Sequence, residues 1–170
     1  MLAATPATSA TASAVVANFD VSGCSRVVDV GRGYGAFVPA ILSAVPGPSG
    51  VLYDLLAVVD KARPALAMAG VAERCERVGG DFFESVPADG DASLLSRILH
   101  DWDDQLWTRL LANIHQTKTS DGRVLGVVVV LPETVSRPRL AVDQDVMMPE
   151  VTGGWKRALR EYKVVFAAPV

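Results

Sequence analysis

The sequence predicts an α/β fold built on a doubly wound, mainly parallel sheet. Three observations carry this expectation. Short β-branched runs alternate with longer helical stretches along the chain. A glycine-rich loop, Gly31-Arg32-Gly33-Tyr34-Gly35, leaves the first of those runs and leads into a helix. An acid, Asp54, closes the second run about 20 residues further on. Strands that alternate with helices pair in parallel, because each helix carries the chain back across the sheet.

The elements follow in order. Thr11 to Asn18 reads as a short helix after a start rich in Ala, Thr and Ser. Arg26-Val27-Val28-Asp29-Val30 is a buried strand between Gly23 and Gly31. Gly35 to Val45 is helical, with Pro39 tolerated only near its first turn, and Pro46-Gly47-Pro48 ends it. Gly50 to Tyr53 is the second strand. Pro64 to Ala69 is a helix with proline at its start and Gly70 at its end. Arg74 to Val78 is a weaker third strand, and Ala92 to Leu99 a fourth. Asp103 to Thr117 is the clearest helix: Leu106, Leu110 and Ile114 share a face beside Trp107 and Leu111, and Asp101, Asp103 and Asp104 suit the positive end of its dipole. Asp121-Gly122 reads as a turn. Val124 to Leu131 is the most hydrophobic strand, which suggests a central position buried on both faces.

Composition bounds the function. The chain has 170 residues, half of them hydrophobic, which suits one folded domain and excludes a disordered chain. The net charge of -3, with both signs scattered, leaves no basic footprint for nucleic acid and no polybasic patch for a membrane. No Lys or Arg precedes Arg26 and no apolar run approaches about 18 residues, so a secretory signal and a membrane span are not expected and a cytoplasmic location is. Cys24 and Cys75 are too few for a disulfide scaffold or a zinc cage; they read as small apolar fillers, and no metal site is expected.

The glycines let the loop turn tightly and approach a ligand, and the helix beyond offers free N–H groups to an anion. Asp54 can accept hydrogen bonds from a ribose diol. Asp81 and Phe82, after Gly80, stand at the next strand end, where the acid can bond an adenine amine while the ring covers the base. The spacing is G-x-G-x-G, not the G-x-G-x-x-G of dinucleotide enzymes, so a nicotinamide-binding oxidoreductase is the less favoured alternative.

VVDVGRGYG, LYDL, VGGDFFESVP, LHDWDD, GRV, LPE and DVMMPEVTGG, in this order, resemble S-adenosylmethionine-dependent O-methyltransferases of the acetylserotonin, caffeate and bacterial small-molecule type, from about Ala12 to Tyr162. The resemblance implies a Rossmann-like methyltransferase fold, truncated after about strand five. It divides the chain into a short N-terminal segment, residues 1–20, and a cofactor-binding domain, residues 21–170. It implies that Gly31, Gly33 and Gly35 frame the methionine end of S-adenosylmethionine, that Asp54 and Leu55 hold the ribose, and that Asp81 and Phe82 hold the adenosine. Ser96 stands where many relatives place a basic residue on the cofactor. His100 matches the general base, since an imidazole titrates near neutrality and can take a proton from a phenol or hydroxyl acceptor. Asp101 would help orient that acceptor. His115 lies mid-helix and reads as surface.

Departures from the pattern are equally specific. Val128 aligns with a glutamate that orients the histidine, and Glu133, after Pro132, comes too late to replace it. Lys156, after Gly153-Gly154-Trp155, aligns with a second glutamate and brings a cation that disfavours a protonated His100. Lys163 to Phe166 is expected as one short last strand, which leaves strand five at risk of becoming an exposed edge. The large helical N-terminal domain of the family, which supplies the dimer interface and a wall of the acceptor pocket, has no counterpart in these residues. A positioned base is worth about 10²–10⁴-fold, whereas holding reactants in line reaches effective molarities of about 10⁵–10⁸ M. Cofactor binding is therefore expected to outlast turnover. The alternative to an active enzyme is a remnant that binds cofactor, as a homodimer or beside a full-length relative. Met147 and Met148 fall where relatives touch the acceptor.

Overall fold

The computed structural model describes residues 6–31, 33, 37–128, 130 and 158–167. Five parallel strands form one sheet in the order β3-β2-β1-β4-β5. They are β1 (Arg26–Val30), β2 (Ser49–Asp54), β3 (Cys75–Gly79), β4 (Gly90–Ser96) and β5 (Lys118–Val127). The helices are α1 (Pro6–Asn18), α2 (Val38–Ala44), α3 (Leu56–Val59), α4 (Arg63–Met68), α5 (Asp104–Thr117) and α6 (Leu159–Ala167). The chain winds outward from β1 through β2 to β3, then returns to the other side of β1 for β4 and β5. This reversal opens a crevice between the carboxyl ends of β1 and β4.

Strand alternation sorts the core into two layers. Val27, Leu52 and Leu94 face α2 and α4, where they meet Val38, Ile41, Leu42 and Leu66. Val28, Val30, Val51 and Leu95 face α5, where they meet Trp107, Leu110, Leu111 and Ile114. The apolar face of α5 is thus centred on Trp107 as much as on the expected Leu106 row, and Leu106 is only half-buried. Asp103 caps the helix, accepting the Leu106 N–H at 2.9 Å. Cys75 is buried and Cys24 half-buried, both free and packed on the first layer as fillers. His115 is exposed, as expected.

Several expected elements differ. The first helix is longer, starting at Pro6, and Val15, Val16 and Phe19 pack on the first core layer. The second helix begins at Val38 rather than Gly35, and places Pro39 in its first turn, where a missing N–H costs nothing. The fourth strand stops at Ser96, because Arg97 turns into the left-handed region at φ +57° and Leu99–Asp101 forms a tight 3₁₀ turn. The fifth strand starts at Lys118, takes in Asp121-Gly122, and is only half-buried along its length. Among the described residues it pairs with β4 alone and forms an edge, not the centre of the sheet. Leu125 packs on the first core layer and Val124 on the second, so its apolar composition reports partial burial on both faces, not its rank in the sheet. Lys163 to Phe166 lies in α6, not in a strand: helical spacing lets buried Tyr162 stack on Trp107, with ring centroids 5.5 Å apart. No helix among the described residues is long and apolar enough to cross a membrane.

Candidate cofactor site

The crevice holds a cavity of about 390 Å³ lined by Gly31, Gly33, Asp54, Val58, Arg97, Ile98 and Asp101. Its floor comes from the loop after β1, one wall from the end of β2, and the other from the turn after β4. That volume suits a small-molecule ligand, since such sites span roughly 300–1,000 Å³.

Gly31 and Gly33 adopt φ of +70° and +67°, which an L side chain resists. Gly31 is also sterically closed: a Cβ there would lie 2.9 Å from Ile98 Cδ1 and 3.0 Å from Phe82 Cε1. The loop is pinned from both sides. Gly31 donates its N–H to the Tyr53 carbonyl at 2.7 Å, and Gly33 donates to Asp54 Oδ2 at 2.6 Å. Asp54 Oδ1 accepts the Leu55 N–H at 2.7 Å. A carboxylate offers about four lone-pair sites, so each oxygen of Asp54 keeps capacity for one further donor. Beneath the loop, buried Asp29 accepts the Val38 N–H at 3.3 Å and ties β1 to α2.

The segment after β3 is held by its own contacts. Asp81 is exposed and its Oδ1 accepts the Phe83 N–H at 2.8 Å. Asn113 of α5 donates to the Phe82 carbonyl at 2.9 Å, and the Tyr53 hydroxyl donates to the Ser85 carbonyl at 2.7 Å. Phe82, Phe83 and Trp102 pack edge to face, and Phe82 reaches across to Gly31. Trp102 therefore packs with the two phenylalanines beside the crevice.

His100 lies in the turn after β4 and is buried. It does not line the cavity; its neighbour Asp101 does. His100 Nε2 stands 3.5 Å from Asp101 Oδ1. Burial pushes the Asp101 carboxyl above the usual carboxylate range, while the positive charge available to His100 and the Arg97 guanidinium pull it back down. Behind the turn, the Trp107 indole N–H donates to the Leu99 carbonyl and fixes the turn to α5.

The structure thus brings Gly31, Gly33 and Asp54 together as expected and places Phe82 against them. Leu55 stands beside Asp54 with its side chain exposed. Ser96 is fully buried within β4 and is not among the lining residues; its Oγ has no hydrogen-bond partner among the described residues. Gly35, Glu133, Met147, Met148 and Lys156 lie outside the described residues. Val128 is half-buried against the second core layer. The sequence reading missed Arg97, Val58 and Ile98. Arg97 carried no motif signal; only its left-handed backbone aims it at the cavity.

The family model of the O-methyltransferase domain matches residues 3–169. The chain belongs to the O-methyltransferase family. Among curated O-methyltransferases it is 43% identical over 157 residues to the phenazine O-methyltransferase PhzM of Lysobacter antibioticus, covering 92% of this chain and 46% of that protein. It is 42% identical over 146 residues to caffeic acid 3-O-methyltransferase of Zea mays, covering 83% of this chain and 38% of that protein. The crystal structure of LaPhzM superposes with a TM-score of 0.87 at 42% identity, covering 95% of this chain and 48% of that one. Human N-acetylserotonin methyltransferase, solved in complex with S-adenosylmethionine, superposes with a TM-score of 0.83 at 28% identity, covering 92% of this chain and 45% of that one. This O-methyltransferase chain therefore spans about half the length of the relatives it matches, and the Rossmann-like methyltransferase fold is common to both.

Proposed function

We propose that this chain binds S-adenosylmethionine in the crevice and serves as the cofactor-binding domain of an O-methyltransferase acting on a hydroxyl of a small molecule. The observation that carries the reading is the crevice itself. A glycine cradle that a side chain would fill lies against a carboxylate with two acceptor positions to spare. That donor and acceptor set fits a ribose diol, and the exposed Leu55 and the Phe82 ring supply apolar surface for the attached base. Asp81 would bond the adenine amine, and Gly35 would complete the glycine frame that the family resemblance implies, whereas Ser96, buried within β4, is not among the residues that line the crevice.

Bound S-adenosylmethionine supplies an electrophilic methyl carbon on a positively charged sulfur. Gly31 and Gly33 would present backbone rather than side chain to it, and Asp54 would hold its ribose. His100 would take the proton from the acceptor hydroxyl whose oxygen receives the methyl group. The proton then leaves the imidazole to solvent. A base acts only within hydrogen-bond reach of its proton, and catalytic contacts tighten when the acceptor is bound.

Calorimetry with S-adenosylmethionine and S-adenosylhomocysteine tests the binding. Measurable binding of either to the folded chain is expected, and no binding of both refutes the reading. Labelled methyl transfer to a panel of phenols tests turnover; His100→Ala should lower it by about 10²–10⁴-fold and leave cofactor affinity intact. A second reading, cofactor binding without turnover, alone, as a homodimer or beside a full-length relative, is favoured by Val128. An apolar side chain stands there where the family pattern places the glutamate that orients the base. Binding without any transfer supports that second reading.

A further inference from the structure

The turn after β4 places three charged or ionisable side chains in a short space. Arg97 holds φ +57° while its N–H donates to the Val127 carbonyl at 2.9 Å. A glycine would adopt this conformation without steric cost, so an arginine here is a strained residue at the wall of a cavity. The turn carries Arg97 and Asp101 to the same cavity and leaves His100 buried behind Asp101, with Nε2 3.5 Å from Oδ1. We propose that Asp101 is a positioning residue for His100. It is a counter-ion that stabilises the charge the imidazole gains with a proton, and Arg97 brings a second positive charge to the same cavity. This rests on the reading of His100 as the base.

The charges beside Asp101 pull against the larger effect of its burial. Asp101 is drawn toward its ionised form by both His100 and Arg97, against the cost of its own burial. The attraction is mutual, so an ionised Asp101 must favour a protonated His100. The other charged groups that the described residues bring to this corner are Asp54 across the cavity and Asp103 and Asp104 at the start of α5. Asp54 accepts two backbone N–H groups, and Asp103 caps the helix. Asp101 stands at ion-pairing distance from the imidazole.

The test is a histidine titration by NMR on the chain labelled at histidine. The sequence has two histidines, and exposed His115 is the internal reference. Asp101→Asn should lower the His100 titration midpoint by about one pH unit and leave that of His115 in place. A change in His100 smaller than about 0.3 pH units overturns the proposal. Arg97→Gly, which suits the left-handed turn, guards against a folding defect in the first variant. It should raise the pH at which Asp101 takes its proton, read as the acid-side inflection in the His100 shift, and an unmoved inflection removes Arg97 from the pairing. Both readouts are free of turnover. If the titrations behave as expected but no methyl transfer occurs, the proposed activity fails while the pairing stands. If transfer is found, the acid limb of its pH profile should move with the His100 midpoint.

Discussion

Replacing Asp54 with alanine should disable cofactor binding before it disables folding. The carboxylate accepts the Gly33 N–H at 2.6 Å and the Leu55 N–H at 2.7 Å, short distances typical of charge-assisted bonds. Each such bond contributes about 1.5–3 kcal/mol, so about 3–6 kcal/mol of gross interaction is removed. Gly33 is only half-buried and Leu55 exposed, so water re-satisfies both donors. A net loss of about 2 kcal/mol remains, equivalent to about 4–8 °C in Tm for a domain of this size. Binding loses more. Two ribose hydroxyls lose a charged acceptor at about 1.5–3 kcal/mol each, which weakens affinity about 10²–10⁴-fold. The freed Gly33 loop adds to that loss by leaving the cradle less ordered. Asp54→Asn is the sharper control, because it keeps the shape but turns an NH₂ toward one of the two N–H donors. Calorimetric titration with S-adenosylhomocysteine reads the affinity, and differential scanning fluorimetry reads the Tm. Affinity within about threefold of the parent in folded Asp54→Ala would refute the assignment of this carboxylate to the cofactor.

Further outcomes follow from individual contacts. Gly31→Ala places a methyl 2.9 Å from Ile98 Cδ1 at φ +70°, so a Tm drop and weaker cofactor binding should appear together. Trp107→Phe removes the indole donor from the buried Leu99 carbonyl, and urea unfolding should show a loss of about 1–3 kcal/mol. Burial pushes the Cys75 thiol up from 9.0 to about 11. The unfolded chain then releases this proton first, so between pH 9.0 and about 11 the folded state binds more protons and stability falls as pH rises. Chemical denaturation across that range should show a shallower fall in Cys75→Val. Native Cys75 should also resist Ellman's reagent until the chain unfolds.

Much of the site was legible because its chemistry is local in sequence. The glycine loop, Asp54 and the turn at Gly80-Asp81-Phe82 each follow a strand. In a parallel sheet, all strands deliver their carboxyl ends to one rim. Asp103 was legible as a negative charge at the helix start, and its capping bond to the Leu106 N–H is seen in the structure. Arg97 was not. Nothing in Ser96-Arg97-Ile98 distinguishes a continuing strand from a left-handed turn, and the hydrophobic run to Leu99 argues for strand. The reversal comes with a long-range contact from behind, where Trp107 of α5 donates to the Leu99 carbonyl. Ser96 illustrates the converse: alignment places it at the cofactor, but the pleat of β4 keeps its side chain inside the protein. Tyr162 shows the same for α6, where β-branched neighbours suggest a strand and stacking on Trp107 accompanies a helix.

By itself the sequence determined the class of fold, the order of the first four strands along the chain, and the glycine–acid pair of the cofactor crevice. Those follow from periodicity and from residues whose backbone or charge permits few conformations. Tertiary structure alone decided that β5 forms an edge among the described residues, that the chain reverses at Arg97, and that Asp101 rather than His100 meets the cavity. Each of these depends on which layer a side chain packs against. Packing is settled between elements far apart in the chain, where no local pattern reports it.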